Sequence, residues 1–337
     1  MANKKVRWGI LSSAKIGTGK VIPGMQKGEH LEITAISSRS LDRAEEAARE
    51  LGIAKAYGSY EELLADPDID AVYNPLPNHM HVPWSIKAAN AGKHVLCEKP
   101  IALSAEEVGL LIEARDRTGV NITEAFMVRH HPQWLTAREI VNSGEIGELR
   151  AIQCFFSYFN RNADDIRNNS DMGGGALMDI GVYPIVASRF ITGEEPRRVV
   201  GLVENDPDFG VDRLSSAILE FSNVQSTFTC STQLVPYQRV HLLGTTCRVE
   251  IEIPWNAPPD TPRRIFLDDG EDRTSESREV RTIDVADQYH LQGDAFSRSI
   301  LENDFSLAGP PLEDAVKNMR VVDALFESAK SGGWVEP

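Results

Sequence analysis

The 337-residue sequence has only four cysteines, Cys97, Cys154, Cys230 and Cys247, and none forms a C-x-x-C pair or a metal-ligand spacing. A disulfide framework and a structural zinc site are excluded on that count. All four sit in strand-like surroundings, so buried free thiols in a reducing compartment are expected. Positive charge is also scarce: 35 Lys and Arg face 50 Asp and Glu, a net charge of −15. A chain of that sign is repelled by a phosphate backbone, so nucleic acid is not the expected partner. No apolar run nears the roughly 20 residues that span a bilayer, and the run in MANKKVRWGIL is too short for a secretion signal. What remains is an ordinary globular balance, 42% hydrophobic and 25% charged, in a chain long enough for two domains. These features predict a soluble cytoplasmic protein without a metal, membrane or nucleic-acid partner.

Glycine is missing where a nucleotide-binding strand–turn–helix would carry it. The stretch VRWGILSSAKIG has Ser12, Ala14 and Gly17 in place of the three glycines of G-x-G-x-x-G. The second strand, LEITAIS, also lacks the acidic residue that bonds a ribose 2′-hydroxyl; its tip carries Ser38 and Arg39. A serine and a guanidinium suit a 2′-phosphate, which a carboxylate would repel. Serine and alanine are the next smallest side chains after glycine. The N–H groups of Lys15, Ile16 and Gly17, opening a helix, would still meet a pyrophosphate.

Up to residue 126 the chain alternates apolar runs (VRWGIL, LEITAIS, a weaker AKAYG, AVYNPL, HVLCE, VNITEAF) with helical patterns. Ser59 with Glu62 and Ser104 with Glu107 are capping boxes, and Gly52, Gly92 and Gly119 stand at helix ends. Strand–helix alternation of this length predicts a doubly wound parallel sheet, a Rossmann domain over 1–126. After residue 148 the pattern becomes successive strand-like runs with short turns, SN at 222–223 and TT at 245–246. A second domain over 127–337 is expected, α+β with a large, open, mostly antiparallel sheet. Its helices are read in GGALMDIGVYPIVASRFI, ADQYHLQGDAFSRSILEN and LEDAVKNMRVVDALFESAK, and PPDTPRRIFLDDGEDRTSESREV is read as an exposed loop.

Four motifs then combine: Pro77, Asn78 and His81 as P-N-x-x-H; Glu98-Lys99-Pro100; EAFMVRHHPQ at 124–133; and GGGALMDIGVYPI at 173–185. Together they resemble the Gfo/Idh/MocA (glucose–fructose oxidoreductase / inositol dehydrogenase) family over essentially the whole chain. The serine–alanine turn and Tyr183 are most similar to its branch of dimeric dihydrodiol dehydrogenases and NADP-dependent D-xylose dehydrogenases. The resemblance implies NADP(H), with NAD less favoured, and hydride exchange with an aldose, polyol or cyclic diol. It implies cofactor contacts at the 12–17 turn, Ser38 and Arg39, at Pro75, Leu76, Asn78 and His81 after the fourth strand, and at Glu98, Lys99 and Met127. It makes Lys99 the catalytic lysine, Asp179 the family's aspartate, and Tyr183 the occupant of a position usually held by histidine.

Asp179 and Tyr183 are four residues apart, on one helical face. Removing a hydroxyl proton needs a base, and a free tyrosine, with its pKa of about 10, needs a nearby cation to act near neutrality. Tyr183 is therefore read as the acid/base, Lys99 as the charge that tunes it and binds the substrate hydroxyl, and Asp179 as an orienting group. A second division makes Lys99 the proton acceptor itself. Glu98 is read as a cofactor-edge or structural partner. Tyr158, Asn160, Arg161 and Arg167 are candidate sugar contacts, with Tyr289 and His290 further possibilities. His79, His81, His130 and His131 lack the companions a metal site needs. Two other functions fit the fold class: a dinucleotide-binding sensor, disfavoured by retention of Lys99, Asp179 and Tyr183, and an NAD-dependent glycosidase, disfavoured by the Ser38–Arg39 tip. An open sheet without an obviously polar outer face predicts a homodimer or dimer of dimers.

Overall fold

The computed structural model describes residues 4–337; Met1, Ala2 and Asn3, where the stretch weighed as a secretion signal begins, lie outside them. The chain folds as two compact units. The first comprises the chain up to Met127 together with Asp287–Val316. Its six strands are β1 (Val6–Leu11), β2 (Leu31–Ser37), β3 (Lys55–Tyr57), β4 (Ala71–Asn74), β5 (His94–Cys97) and β6 (Ile122–Glu124). All run parallel, in the order β3-β2-β1-β4-β5-β6. This is the doubly wound sheet expected from the alternation, and its winding reverses between β1 and β4. Helices on both faces explain the near-continuous apolar runs: Trp8, Ile10, Ile36, Tyr73 and Leu96 are all buried. Both serine caps form, and the glutamates reach one residue further back than a capping box would. The Ser59 and Ser104 hydroxyls accept from the N–H three residues on, while Glu62 and Glu107 accept from the N–H of Gly58 and Leu103.

A simple division at residue 126 needs one amendment. The helix Gln288–Glu302 packs on the parallel sheet: Trp8 Nε1 donates to Ser297 Oγ at 3.0 Å, and the Phe296 ring lies 5.2 Å from that of Trp8. A Cβ on Gly293 would come within 2.6 Å of Met25, so only glycine lets this helix approach so closely. Nothing in an amphipathic helix pattern names the sheet it will cover.

The second unit, Val128–Ala286 with Lys317–Pro337, is built on eight strands. These are β7 (Ala151–Phe159), β8 (Arg198–Asn205), β9 (Asp212–Glu220), β10 (Gln225–Ser231), β11 (Gln233–Leu243), β12 (Arg248–Ile251), β13 (Arg263–Asp268) and β14 (Glu279–Ile283). In the order β14-β13-β12-β11-β7-β10-β9-β8, every pair is antiparallel except β7 with β10. Part of the stretch read as an exposed loop is β13, with Ile265, Phe266 and Leu267 buried; its flanking prolines and acids masked a short apolar run. QLVPYQRVHLL is one strand despite its proline, because Pro236 falls where the register between β11 and β7 shifts.

One face of this sheet is covered by the helix Val182–Thr192, entered through the wide turn Leu177–Gly181. A Cβ on Gly181 would come within 3.1 Å of Cys230 Sγ on β10. The other face is open. Across β8, β9, β10, β7 and β11 lies a depression of about 630 Å³, with Leu202 74% and Ile218 38% exposed. Among the described residues no helix is long and apolar enough to cross a membrane, and no group of His, Cys, Asp or Glu is placed to hold a metal. All four cysteines are free.

Candidate active site

In the first unit the candidate residues gather at the carboxyl ends of β1, β2, β4 and β5. Ser12 adopts φ of +101°, a region that favours glycine. Replacing the first glycine of the turn therefore costs backbone strain, a constraint that side-chain size alone does not reveal. The chain is helical from Lys15, and Thr18 N–H donates to Ala14 O at 3.0 Å. The opening turn leaves its first N–H groups without intrahelical partners, which is what a pyrophosphate requires. A Cβ on Gly17 would lie 3.6 Å from the Tyr73 ring and 3.8 Å from Pro75, so this turn rests against the start of the β4 loop. Ser38 is buried and Arg39 exposed. Tyr60, which the sequence reading missed, belongs to the same corner. Burial pushes its phenol up, while the Arg39 charge and the Ser12 hydroxyl act the other way.

The loop carrying Lys99 is held by main-chain bonds on both sides. Glu98 N–H donates to Asn74 O at 3.0 Å, and Ile101 N–H to Glu124 Oε1 at 2.9 Å. Glu98 is engaged as an acceptor: Tyr73 Oη donates to its Oε1 at 2.6 Å and Lys99 N–H to its Oε2 at 3.3 Å. Burial and that carboxylate push the Tyr73 phenol well up, and the Tyr289 phenol, also near Glu98, is pushed up by its own burial first. Leu76 is buried, with its N–H on Asn74 Oδ1 at 3.3 Å. Asn78 opens the helix Asn78–Asn90, and Met127 is buried beside β6. His81, expected at the cofactor, turns inward instead. It is 1% exposed, with Nδ1 2.7 Å from Pro100 O and Nε2 2.6 Å from Leu76 O, so its ring has no side to offer a ligand.

In the second unit Asp179 is gripped from two directions. Tyr158 Oη donates to Asp179 Oδ2 at 2.6 Å, and Arg167 Nε to the same oxygen at 3.0 Å; Arg167 Nη1 also reaches Asp165 at 3.3 Å. Burial first, then the Asp179 charge, push the Tyr158 phenol up, and Asp179 holds Arg167 firmly charged. Tyr183, one turn on, is nearly buried, its ring 5.4 Å from that of Trp255 and 5.8 Å from that of Phe156. The glycine run serves the protein's own packing. A Cβ on Gly174 would lie 2.5 Å from Arg167 O, and one on Gly175 2.0 Å from Asp212 Oδ1. Asp212 in turn accepts from Leu177 N–H at 2.7 Å, capping the helix that carries Asp179 and Tyr183.

Arg161, a candidate sugar contact, is drawn off to Asp208 at 2.5 Å and lies over the Phe209 ring; Arg167 is the arginine beside Asp179. His131 Nδ1 accepts from Gln133 N–H at 3.1 Å, capping the helix Pro132–Asn142, while burial pushes His130 down to about 4. Tyr289 and His290 N–H groups cap on Asp287.

Residues 6–126 match the model of the oxidoreductase family with an NAD-binding Rossmann fold, and residues 134–264 that of the GFO/IDH/MocA C-terminal domain. An uncharacterised oxidoreductase of Rhizobium meliloti is 49% identical over 98% of each chain. A D-xylose 1-dehydrogenase (NADP(+)) of Haloferax volcanii is 40% identical over 98% of this chain and 99% of its own. A 3-ketoreductase from Actinomadura kijaniata, solved with NADP and TDP-benzene, superposes with a TM-score of 0.89 at 29% identity, covering 96% of this chain and 98% of its own. That ketoreductase has also been solved with a tyrosine changed to phenylalanine and with a lysine changed to alanine or glutamate.

Proposed function

The chain belongs to the Gfo/Idh/MocA family of oxidoreductases, and we propose that it moves hydride between NADP(H) and a carbinol or keto carbon of a sugar, polyol or cyclic diol. The observation that carries the cofactor choice is the corner of Ser12, Arg39 and Tyr60. It offers hydroxyls and a guanidinium, a donor set that fits a 2′-phosphate, and the acid beside Tyr60, Glu61, is paired with Lys87 at 3.0 Å. The helix start at Lys15–Gly17 fits the pyrophosphate. When bound, NADP⁺ supplies the hydride acceptor.

The proton falls to this chain. Asp179 already accepts from Tyr158 and Arg167, and Glu98 from Tyr73, so neither carboxylate is placed as the base. We assign proton transfer to the Tyr183 hydroxyl, with Lys99 supplying the positive charge that favours the phenolate and binding the substrate oxygen. Tyr158, Asp179 and Arg167 would order the sugar's other hydroxyls. In this reading the first unit binds NADP(H), and the second binds substrate and forms a homodimer through its open sheet face. Four free cysteines accord with the reducing cytoplasm.

The decisive experiment supplies a panel of aldoses, polyols and cyclic diols with NADP⁺ or NAD⁺ and follows reduced-nicotinamide absorbance. Turnover of at least one substrate class with NADP⁺ preferred is expected. Tight cofactor binding with no turnover of any of them would overturn the proposal.

A further inference from the structure

On the reading above, Lys99 serves only if its ammonium is held in one place, yet it sits in a loop, between β5 and the helix Ala105–Thr118. Main-chain N–H groups anchor Glu98 and Ile101, on either side. Pro100, directly after the lysine, has no N–H to donate. Its carbonyl is the handle left, and the buried His81 ring takes it, at 2.7 Å from Nδ1. The same ring meets Leu76 O at 2.6 Å from Nε2. The two contacts are not equivalent. The Leu76 loop has other anchors, since Leu76 N–H donates to Asn74 Oδ1, and Asn74 Nδ2 donates to His81 O at 3.1 Å and to Ser85 Oγ at 3.1 Å. Both ring partners are carbonyls, which only accept; burial holds the ring down to about 4, so near neutral pH it is uncharged and its single N–H serves one of the two.

We propose that His81 is a positioning residue for Lys99: its Nδ1–H bond to the Pro100 carbonyl fixes the loop from which the ammonium projects. The ring itself touches neither substrate nor cofactor. P-N-x-x-H and E-K-P then form one device, the first motif supplying the brace and the second the group that is braced. A displaced ammonium costs rate rather than binding, because cofactor and sugar are held largely by other groups.

Two amide side chains separate the two bonds. In His81→Asn the amide nitrogen falls near the Nδ1 position and keeps a donor for Pro100; in His81→Gln it falls near Nε2 and keeps one for Leu76. His81→Phe keeps neither. Steady-state kinetics with NADP(H) and the best substrate, melting temperatures, and hydrogen–deuterium exchange of the 98–101 segment are measured for all three. His81→Asn is expected to retain most of kcat, while His81→Gln and His81→Phe lose about 10²-fold with little change in either KM. Exchange at Glu98, Lys99 and Ile101 should quicken in the last two variants alone. Equal losses in the Asn and Gln variants, kcat that simply follows melting temperature, or a rise in KM at constant kcat would overturn it. A wild-type enzyme without turnover would refute the functional reading, and the exchange pattern would still decide this one.

Discussion

Arg39 is the residue on which cofactor choice turns. It stands exposed at the end of β2 near Tyr60, and the acid beside Tyr60, Glu61, is paired with Lys87. Arg39→Ala should weaken NADP(H) binding about 10- to 10²-fold, the range for losing a hydrogen bond to a charged group, and leave NAD(H) nearly unchanged. Titrating both cofactors against both proteins checks this, and an equal loss for the two would remove the 2′-phosphate assignment. Tyr183→Phe should preserve cofactor affinity while kcat falls about 10²–10⁴-fold. Lys99→Met should do comparable damage and the double variant little more, because groups serving one proton are not additive. Near-normal turnover in Tyr183→Phe would leave Lys99 as the acid/base.

His130 sets a pH dependence of a different kind. Folded, burial holds it down to about 4, with the Arg129 charge pushing the same way, against an ordinary 6.5. Between those values the unfolded chain binds the proton and the folded chain does not. The stability present above pH 6.5 is therefore lost as pH falls toward 4, by up to about 1.4 kcal/mol per pH unit. Urea unfolding at pH 7 and pH 5 should show the loss, and His130→Phe should reduce it. An unchanged pH dependence in the variant would place the titration elsewhere.

Single residues were legible to differing degrees. Lys99, Asp179 and Tyr183 could be singled out because they sit in motifs whose spacing is local. Tyr60 and Arg167 were undervalued because their roles depend on partners far along the chain or on which acid each arginine meets. Arg161 and Arg167 look alike in sequence, and only the fold sends one to Asp208 and the other to Asp179.

At the scale of elements, the inner parallel strands were readable because they are buried on both faces, while the edge strand β3, with no buried residue, gave only a weak run. β13 was hidden because its four-residue buried stretch lies between prolines and carboxylates. The glycine run before the site helix carries a packing constraint that makes a prediction. Gly175 has φ of +115°, and a Cβ there would lie 2.0 Å from the buried carboxylate that caps Leu177. Gly175→Ala should cost at least about 2 kcal/mol through backbone strain and loss of the cap, and should depress activity with it. Gly109, inside the helix Ala105–Thr118 with nothing within 4 Å, is the contrast. Gly109→Ala should stabilise by about 0.5–1 kcal/mol, since alanine loses less backbone freedom in a helix. Equal melting temperatures for the two variants would show that the Asp212 cap does not set the start of the helix.

The whole molecule carries −15 charges, and two copies can associate only where that charge is sparse. The open face of the second unit meets the condition: the residues lining its depression include Phe155, Val200, Leu202, Ile218 and Tyr237, with Arg239 and His241, and none is acidic. Leu202, Val235 and Tyr237 stand well out from the sheet, an arrangement that is costly in water and favourable against a second apolar face. If copies pair there, attraction comes from local apolar burial and opposition from the net charge of the rest. Salt screens the second and not the first, with a Debye length of about 10 Å at 0.1 M ionic strength and about 3 Å at 1 M. Dimerisation should therefore tighten as salt rises, the reverse of an interface held by ion pairs. Leu202→Glu with Ile218→Glu should yield a monomer whose Rossmann unit still binds NADP(H), since both positions lie on the exposed face of the second unit's sheet. Sedimentation of wild type and variant at low and high salt reads both effects. A wild type that is monomeric at micromolar concentration, or a dimer that survives the two substitutions, would mean that this face is covered by something other than a second copy.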